Sequence, residues 1–145
     1  MNFDDITSIQ TQHPLKLVYQ IPLGKTKTFW NFMSKGKLVI PKCVKCSTYY
    51  FPPQGDCSKC LSSEMEWVEF STEGTLEVFT HLMVAPGSFM DKVPYTVAIG
   101  KLNQGIKILA WLKDVEYGKV KIGMNIKLHI KKIDETKYVY EWRLN

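Results

Sequence analysis

The sequence predicts a mainly β protein with three segments: an N-terminal helical segment over residues 1–36, a metal-binding ribbon over residues 37–72 and a five-stranded closed barrel over residues 73–145. Three observations support this prediction: aromatic residues at helical spacing, then two Cys-x-x-Cys brackets, then segments in which apolar and polar residues alternate. The 145 residues suit one domain or two small ones, and the composition, 45% hydrophobic and 23% charged, is that of a folded chain.

The first residues predict a short helix and no export signal. Asp4 or Asp5 can cap a helix that ends near Gln12. These aspartates stand where a signal peptide carries basic residues, and the sequence has no apolar run long enough to cross a bilayer. We therefore expect a cytoplasmic protein that does not interact with membranes.

A second helix is predicted just before the first cysteine bracket. Thr26 or Thr28 can cap its start, and Gly36 can end it in a left-handed conformation. Its apolar side chains have i, i+3, i+4 spacing, so the helix either packs on its own domain or docks on a partner protein. The residues predicted to contact a partner are Phe29, Trp30, Phe32 and Met33.

The four cysteines of the chain, Cys43, Cys46, Cys57 and Cys60, form the two brackets. A two-residue spacing lets both sulfurs of a tight turn reach one metal ion, and two such turns supply the four thiolates that structural zinc prefers. We therefore predict a rubredoxin-like zinc ribbon whose metal has no open coordination position; iron also accepts four thiolates. Disulfides are the weaker alternative because they need an oxidising compartment.

The residues that follow the two cysteine brackets are not the ones that favour the expected turn. Ser47 and Leu61 follow the brackets, where a left-handed backbone favours Gly, so Leu61 is expected to be strained if its turn is left-handed. Strands are predicted at residues 37–42, at residues 49–53 and from Trp67 onward.

The segment after Gly74 predicts five alternating strands. A hairpin is expected across residues 103–105, and the longer connection 113–124 follows the third strand. This arrangement favours an OB-fold barrel over a Greek-key sandwich. In the first strand, Leu76, Val78, Thr80, Leu82 and Val84 are predicted to share one face. The strands are centred on residues 76–84, 95–102, 106–112, 126–130 and 138–144.

The charge is concentrated at the C-terminal end. The net charge is +5; residues 1–100 hold 9 Lys and 9 acidic residues, whereas residues 101–145 hold 9 Lys and Arg143 against 5 acidic residues. A basic half suits a phosphate-bearing partner, either a nucleotide cofactor or nucleic acid, although a solvated lysine-rich surface explains it equally well. The scarcity of Arg argues against a dedicated nucleic-acid binder.

No motif in the sequence predicts catalysis. The histidines, His13, His81 and His129, have no nearby motif that links them to Ser or Asp, and no phosphate loop, zinc-hydrolase helix or Rossmann fingerprint is present. His81 and His129 lie in alternating strands, where packing roles are the default.

Nine short motifs follow one another between residues 25 and 145. They are Phe29-Trp30, Gly36–Leu38, Cys43–Cys46, Phe51–Pro53, Cys57–Cys60, Gly74–Leu76, Phe79-Thr80, Pro94-Tyr95 and Ile122-Gly123. Their order resembles that of the zinc-ribbon/OB-fold proteins grouped as domain of unknown function thirty-five, a family associated with acyl-CoA and lipid metabolism. The chain departs from the family pattern at Ser47, where Gly is usual, and at Gln54, where a basic residue is usual.

The resemblance implies a non-catalytic accessory protein that holds or passes acyl-CoA beside a thiolase-like condensing enzyme or a hydratase-type enzyme. For such a ligand, Phe89 and Met90 in the loop 85–94 suit the apolar arm, and nearby lysines suit the phosphates. The alternative is a nucleic-acid-binding zinc-ribbon/OB-fold module. The lysines predicted to contact the ligand are Lys101, Lys107, Lys131 and Lys132.

Overall fold

The chain forms a short helix, a two-stranded ribbon and a closed five-stranded barrel in a computed structural model, which describes residues 19–135 and 137–145. The helix predicted to start at Asp4 or Asp5 lies outside the described residues. The main elements are α1 (Lys27–Ser34), β1 (Val39–Cys43), β2 (Met65–Glu69), β3 (Glu73–Leu82), β4 (Tyr95–Leu102), β5 (Lys107–Leu112), β6 (Asn125–Lys132) and β7 (Tyr138–Leu144).

Helix α1 begins and ends close to the predicted residues. A 3₁₀ turn over Gly24–Thr26 leads into it, and the Thr26 hydroxyl donates to the Leu23 carbonyl instead of capping the helix. Gly36 has a φ of 76° and ends the helix as predicted, with the Lys37 amide donating to the Phe32 carbonyl. Among the described residues, no helix is long and apolar enough to cross a membrane.

The ribbon consists of β1 and β2, which pair antiparallel so that Cys43 lies opposite Met65. The predicted strand over residues 49–53 is wrong, since only Tyr49 forms a bridge, to Lys42. Pro52 and Pro53 have no amide hydrogen to donate to a ladder, so the segment cannot continue as a paired strand. It crosses between the two knuckles as an irregular loop.

The five remaining strands close into the predicted barrel in the order β3-β4-β5-β7-β6. The hairpin between β4 and β5 turns at Gly105, whose φ is 84°. The connection after β5 is long, as predicted, because β7 and not β6 lies beside β5, with Leu112 opposite Trp142 in a parallel pair. This order is that of the OB fold.

A β-bulge in β3 overturns part of the predicted alternation. Leu76 lies opposite Gly100 and Val78 opposite Ile99, so Glu77 is an extra residue on β3. Beyond this point every side chain changes face, because successive residues of a strand point to opposite sides. Leu76 is therefore fully buried, whereas Val78 is exposed and Phe79 packs against the core.

One hydrophobic core runs from the helix into the barrel. The Phe29 ring contacts the Phe51 ring of the irregular loop at 6.1 Å, and Phe51 contacts Tyr140 of β7 at 5.3 Å between centroids. Trp142 fills the barrel interior, where its indole Nε1–H donates to the Ile108 carbonyl at 3.1 Å. Tyr138 and Tyr140 are partly buried and pack against this core.

Candidate functional site

The four cysteine sulfurs form a cluster with the dimensions of a metal site. All four Sγ atoms lie within 4.8 Å of one another, with separations of 3.5 Å for Cys43–Cys60, 3.4 Å for Cys46–Cys57 and 3.5 Å for Cys57–Cys60. A tetrahedral zinc with Zn–S bonds of about 2.3 Å requires sulfurs about 3.8 Å apart. The cluster therefore fits a four-thiolate metal ion and needs only a small expansion to hold it.

The two knuckles have the same backbone design. In the first, the Cys43 amide donates to the Thr48 carbonyl and the Ser47 amide donates to the Cys43 carbonyl; in the second, Cys57 makes the matching pair with Ser62 and Leu61. The φ angles of Ser47 and Leu61 are 56° and 59°. Both turns are thus left-handed, which is the condition under which strain at Leu61 was expected.

Polar groups beside Cys46 and Cys57 favour the thiolate forms of these two residues, whereas burial and the neighbouring sulfurs raise the pKa of Cys60 to about 12. The Tyr50 hydroxyl lies 3.1 Å from Cys57 Sγ, and this hydrogen bond is the main cause that lowers the pKa of Cys57 to about 6. The Thr48 hydroxyl, 3.2 Å from Cys46 Sγ, lowers the pKa of Cys46. The thiolate is the form that binds a metal, so Tyr50 and Thr48 support the donor set.

An ion held by all four cysteines would stabilise the fold and would have no coordination position open to a substrate. Cys43 ends β1, and the Val44 amide donates to the Glu64 carbonyl just before β2 begins. A bound ion would join the two knuckles through four thiolates and so fix the ribbon, in which few apolar side chains are available to form a core.

The residues predicted to contact a partner lie on both sides of α1. Phe29 and Met33 are buried in the core of the chain itself and offer no surface. Phe32 is half-buried, and Trp30 is 39% exposed with its ring edge-on to Phe29 at 5.1 Å. Of the four predicted residues, Trp30 and Phe32 are therefore the ones that remain available to a partner.

Phe89 and Met90 lie in a 3₁₀ helix, Gly87–Lys92, within the loop between β3 and β4. The Phe89 ring contacts the rings of Tyr95 and Trp111 at 6.2 and 6.3 Å, so this side chain covers the barrel surface instead of standing free. The ammonium group of Lys92 lies 4.6 Å from the Phe89 ring centre. Met90 is exposed.

The structure separates the four predicted ligand lysines into two pairs. Lys101 and Lys107 lie opposite each other where β4 and β5 meet their hairpin, and Lys107 forms an ion pair with Glu77 at 2.7 Å. Lys131 and Lys132 are at the end of β6, opposite the start of β7, and Lys132 forms an ion pair with Glu135. Lys101 pairs with Thr75 of β3, whose partner on β6 is Asn125, at the opposite end of that strand from Lys131 and Lys132.

A groove lies between α1 and the barrel and has a volume of about 1320 Å³. Trp30 of α1 forms one wall, Trp111 lies on β5 with Lys113 just after it, and Lys131 lies on β6. The ammonium group of Lys113 is 4.3 Å from the Trp111 ring centre, and Tyr95 stacks on Trp111 at 4.9 Å. Within residues 19–135 and 137–145, Lys113 and Lys131 have no ion-pair partner, whereas the two glutamates that line the groove, Glu135 and Glu141, are paired with other residues. The groove therefore combines unpaired lysines with aromatic surface.

Comparison with known proteins identifies both parts of the chain. A model of the ChsH2 rubredoxin-like zinc ribbon domain matches residues 30–66, and a model of the ChsH2 C-terminal OB-fold domain matches residues 67–131. A "DUF35 domain-containing scaffold protein" of Methanocaldococcus jannaschii is 32% identical over 68% of this chain and 70% of its own length. The chain belongs to the DUF35 family.

Two further relatives differ in how much of their own length matches this chain. A "DUF35 domain-containing scaffold protein" of Pyrococcus furiosus is 31% identical over 79% of this chain and 83% of its own length. A Thermomonospora curvata protein named "Probable enoyl-CoA hydratase alpha subunit" is 29% identical over 81% of this chain, but the match spans only 37% of that protein.

A solved structure titled "Ltp2-ChsH2(DUF35) aldolase" has the same fold. It superposes with a TM-score of 0.73 at 24% identity and covers 83% of this chain and 94% of that one. A structure from Sulfolobus solfataricus, titled as a DUF35 protein of unknown function, gives a TM-score of 0.58 at 20% identity over 84% of this chain and 86% of that one.

The sequence predicted the four cysteines that the structure brings together but did not predict the centre of the groove. Trp111 and Lys113 were not among the predicted site residues, although the alternation of β5 contains their signal. Ile108, Ala110 and Leu112 are buried, so the intervening residues point outward. A large aromatic residue followed by lysine on the outer side of a strand was the available sign of a binding surface.

Proposed function

We propose that this DUF35 protein is a non-catalytic accessory subunit that holds an acyl-CoA for a thiolase-like or hydratase-type enzyme in the cytoplasm. Its relatives named scaffold proteins support a role in assembly. The relative named as a hydratase subunit and the fold neighbour titled as an aldolase complex support an acyl-CoA enzyme as the partner.

In this proposal zinc has a structural role. Cys43, Cys46, Cys57 and Cys60 would hold the ion, which supplies a rigid cross-link between the knuckles and no reactive position. The ribbon then holds Phe51 between α1 and the barrel, and so keeps the groove wall in place. Iron is the alternative ion, and elemental analysis of freshly purified protein distinguishes the two.

The observation that carries the ligand proposal is the groove beside α1. Coenzyme A has phosphates at one end and an apolar acyl-pantetheine arm at the other. Lys113 and Lys131 supply charge for the phosphates, while Trp111, Trp30 and the nearby Phe89 supply apolar surface. Lys101 and Lys107 do not line this groove, so the proposal assigns the phosphates to the other lysines.

Calorimetric titration with acetyl-CoA tests this site, with and without the partner enzyme. We expect modest affinity for the isolated chain, since the groove is open, and weaker binding at higher salt because phosphate contacts are screened. Replacing Lys113 and Lys131 together by Gln should weaken binding about tenfold or more. The matched control replaces Lys119 and Lys121 by Gln, which removes the same charge outside the groove. An equal loss of acetyl-CoA affinity in the two double variants would refute the groove as the binding site.

Trp30 links the groove to the proposed partner. Because it is the exposed aromatic side chain of α1 while Phe29 holds the helix in the core, Trp30→Ala should weaken co-purification with the acyl-CoA enzyme and leave the barrel folded. Val44→Ala, at another exposed apolar position, is the control. Unchanged partner recovery with Trp30→Ala would exclude the helix from the interface.

Nucleic-acid binding is the second candidate function. Tyr95 and Trp111 stacked on the outside of an OB barrel, with Lys113 beside them, are the kind of surface on which unpaired bases stack. A single-stranded oligonucleotide in the same titration distinguishes the two functions. Tight, salt-sensitive oligonucleotide binding without any acetyl-CoA signal, with or without the partner, would replace the acyl-CoA proposal.

A further inference from the structure

The outside of the barrel carries an apolar face where β3, β4 and β5 run side by side. Residues directly opposite one another on paired strands point to the same side of a sheet, so the register defines rows across the three strands. We call this surface the outer face. Its two central rows are Val78–Ile99–Leu109 and Thr80–Val97–Trp111.

These apolar side chains are accessible to solvent. Val78 is 53% exposed and Leu109 is 61% exposed, while Ile99, Val97 and Trp111 are half-buried by their neighbours. The bulge at Glu77 creates this arrangement, since without the extra residue Val78 would point into the barrel. The inner sides of the same strands already form the core, and on the outer side Phe89 covers part of Trp111 while Val78 and Leu109 stay uncovered.

Lysines stand at both ends of the outer face. Lys101 and Lys107 form the row next to Ile99 and Leu109, and Lys113 lies over Trp111 at the opposite end. Glu77 is the acidic residue beside the face, and it is already paired with Lys107 at 2.7 Å. The surface is therefore apolar in the middle and positively charged at its ends.

We propose that the outer face docks a second protein whose contact surface has an apolar centre and acidic residues at its ends. A second copy of this chain fits poorly, because a two-fold contact would bring lysine-bearing ends together. The pattern of an apolar centre with a charged rim is that of protein interfaces, and opposite charge on the partner would compensate Lys101 and Lys113.

That the partner is an acyl-CoA enzyme rests on the proposed function. Trp111 and Lys113 belong both to the edge of the outer face and to the groove. A partner seated on the outer face therefore borders the groove, and a ligand held there has a short path to the partner's surface.

Site-specific photocrosslinking tests the docking. Benzoylphenylalanine is placed at Leu109 or, as the control, at Ile122, which is 68% exposed and lies outside the outer face. In cells that express the full chain and its natural partners, we expect a covalent adduct from position 109, identified by mass spectrometry as an acyl-CoA enzyme, and none from position 122. An adduct with a second copy, or no adduct from position 109, would overturn the proposal.

Affinity measurements with the purified enzyme then test the chemistry of the contact. Leu109→Asn and Lys101→Glu should each weaken association at least tenfold, whereas Ile122→Asn and Lys121→Glu should change it less than twofold. Unchanged thermal unfolding of each variant confirms that the barrel is intact. Equal binding by all four variants would overturn the docking surface.

The two hypotheses can fail separately. A position 109 adduct with a protein that does not act on acyl-CoA would support the outer face and refute the proposed function. Co-purification of an acyl-CoA enzyme without an adduct from position 109 would support the proposed function and refute the outer face as the docking surface.

Discussion

At the scale of a single residue, Tyr50 supports the second metal knuckle. Its hydroxyl lies 3.1 Å from Cys57 Sγ and accepts a hydrogen bond from the Lys59 amide at 3.2 Å. With the Lys59 amide donating to its oxygen, the hydroxyl is free to donate its own proton to the Cys57 sulfur. Tyr50 was predicted only as part of a strand, yet its side chain is the neighbour that most stabilises the Cys57 thiolate.

Tyr50→Phe should weaken metal binding by about 10- to 100-fold, the usual cost of losing an outer hydrogen bond to a ligand. Without the hydroxyl, the pKa of Cys57 rises from about 6. As the pH falls, protonation of this thiol would then begin to weaken metal binding at a higher pH than in the unchanged protein. Competition with a chromogenic zinc chelator across pH 5 to 8 measures the shift. Tyr49→Phe is the control, and equal affinities for the two variants would contradict the role of Tyr50.

Leu61 carries backbone strain without a compensating contact. Its φ is 59° and its side chain is 86% exposed, so Leu61→Gly should stabilise the ribbon by up to about 1 kcal/mol through relief of the left-handed conformation. Thermal unfolding of the metal-loaded protein measures the change. Leu61→Ala removes the same side chain but keeps Cβ, and should give no such gain; a gain with Ala would point to the side chain instead.

At the scale of elements, one glycine fixes the approach of β4 to the barrel centre. A Cβ on Gly100 would lie 2.5 Å from the Trp142 ring and 2.5 Å from Ile126. Gly100→Ala should therefore destabilise the barrel by about 1–3 kcal/mol, the typical cost of overpacking a core. Denaturant unfolding measures it, with Gly87→Ala, which meets no atom within 4 Å, as the control. Equal stabilities would show that Trp142 has room to move.

At the scale of the whole molecule, the ribbon and the barrel should respond differently to loss of metal. Structural zinc contributes on the order of 10 kcal/mol or more to folding, so Cys46→Ser or a strong chelator should unfold the ribbon. The barrel strands close on one another around Trp142 without a ribbon strand, so the barrel should remain folded although helix α1 packs on the same core. In amide and indole NMR spectra, the Trp67 signal should collapse while the Trp142 signal persists. Concerted loss of both signals would contradict a separable barrel.

The sequence by itself determined the features that depend on local chemistry. Cysteine spacing predicted the cluster of four sulfurs because a two-residue gap allows few geometries. Gly36 marked the helix end because few other residues tolerate its φ of 76°. Strand positions followed from alternation, and the long connection after the third strand indicated the barrel order.

Only the tertiary structure decided which side chains share a surface. The bulge at Glu77 reverses the outward side of β3, and a single extra residue leaves no mark in the alternation of apolar residues. Burial of Phe29 depends on Phe51 and Tyr140, which are distant in sequence. The separation of Lys101 from Lys131 likewise follows from the order of the strands in the closed barrel. Trp30 and Trp111 line the same groove because α1 packs beside the barrel, which sequence distance does not reveal.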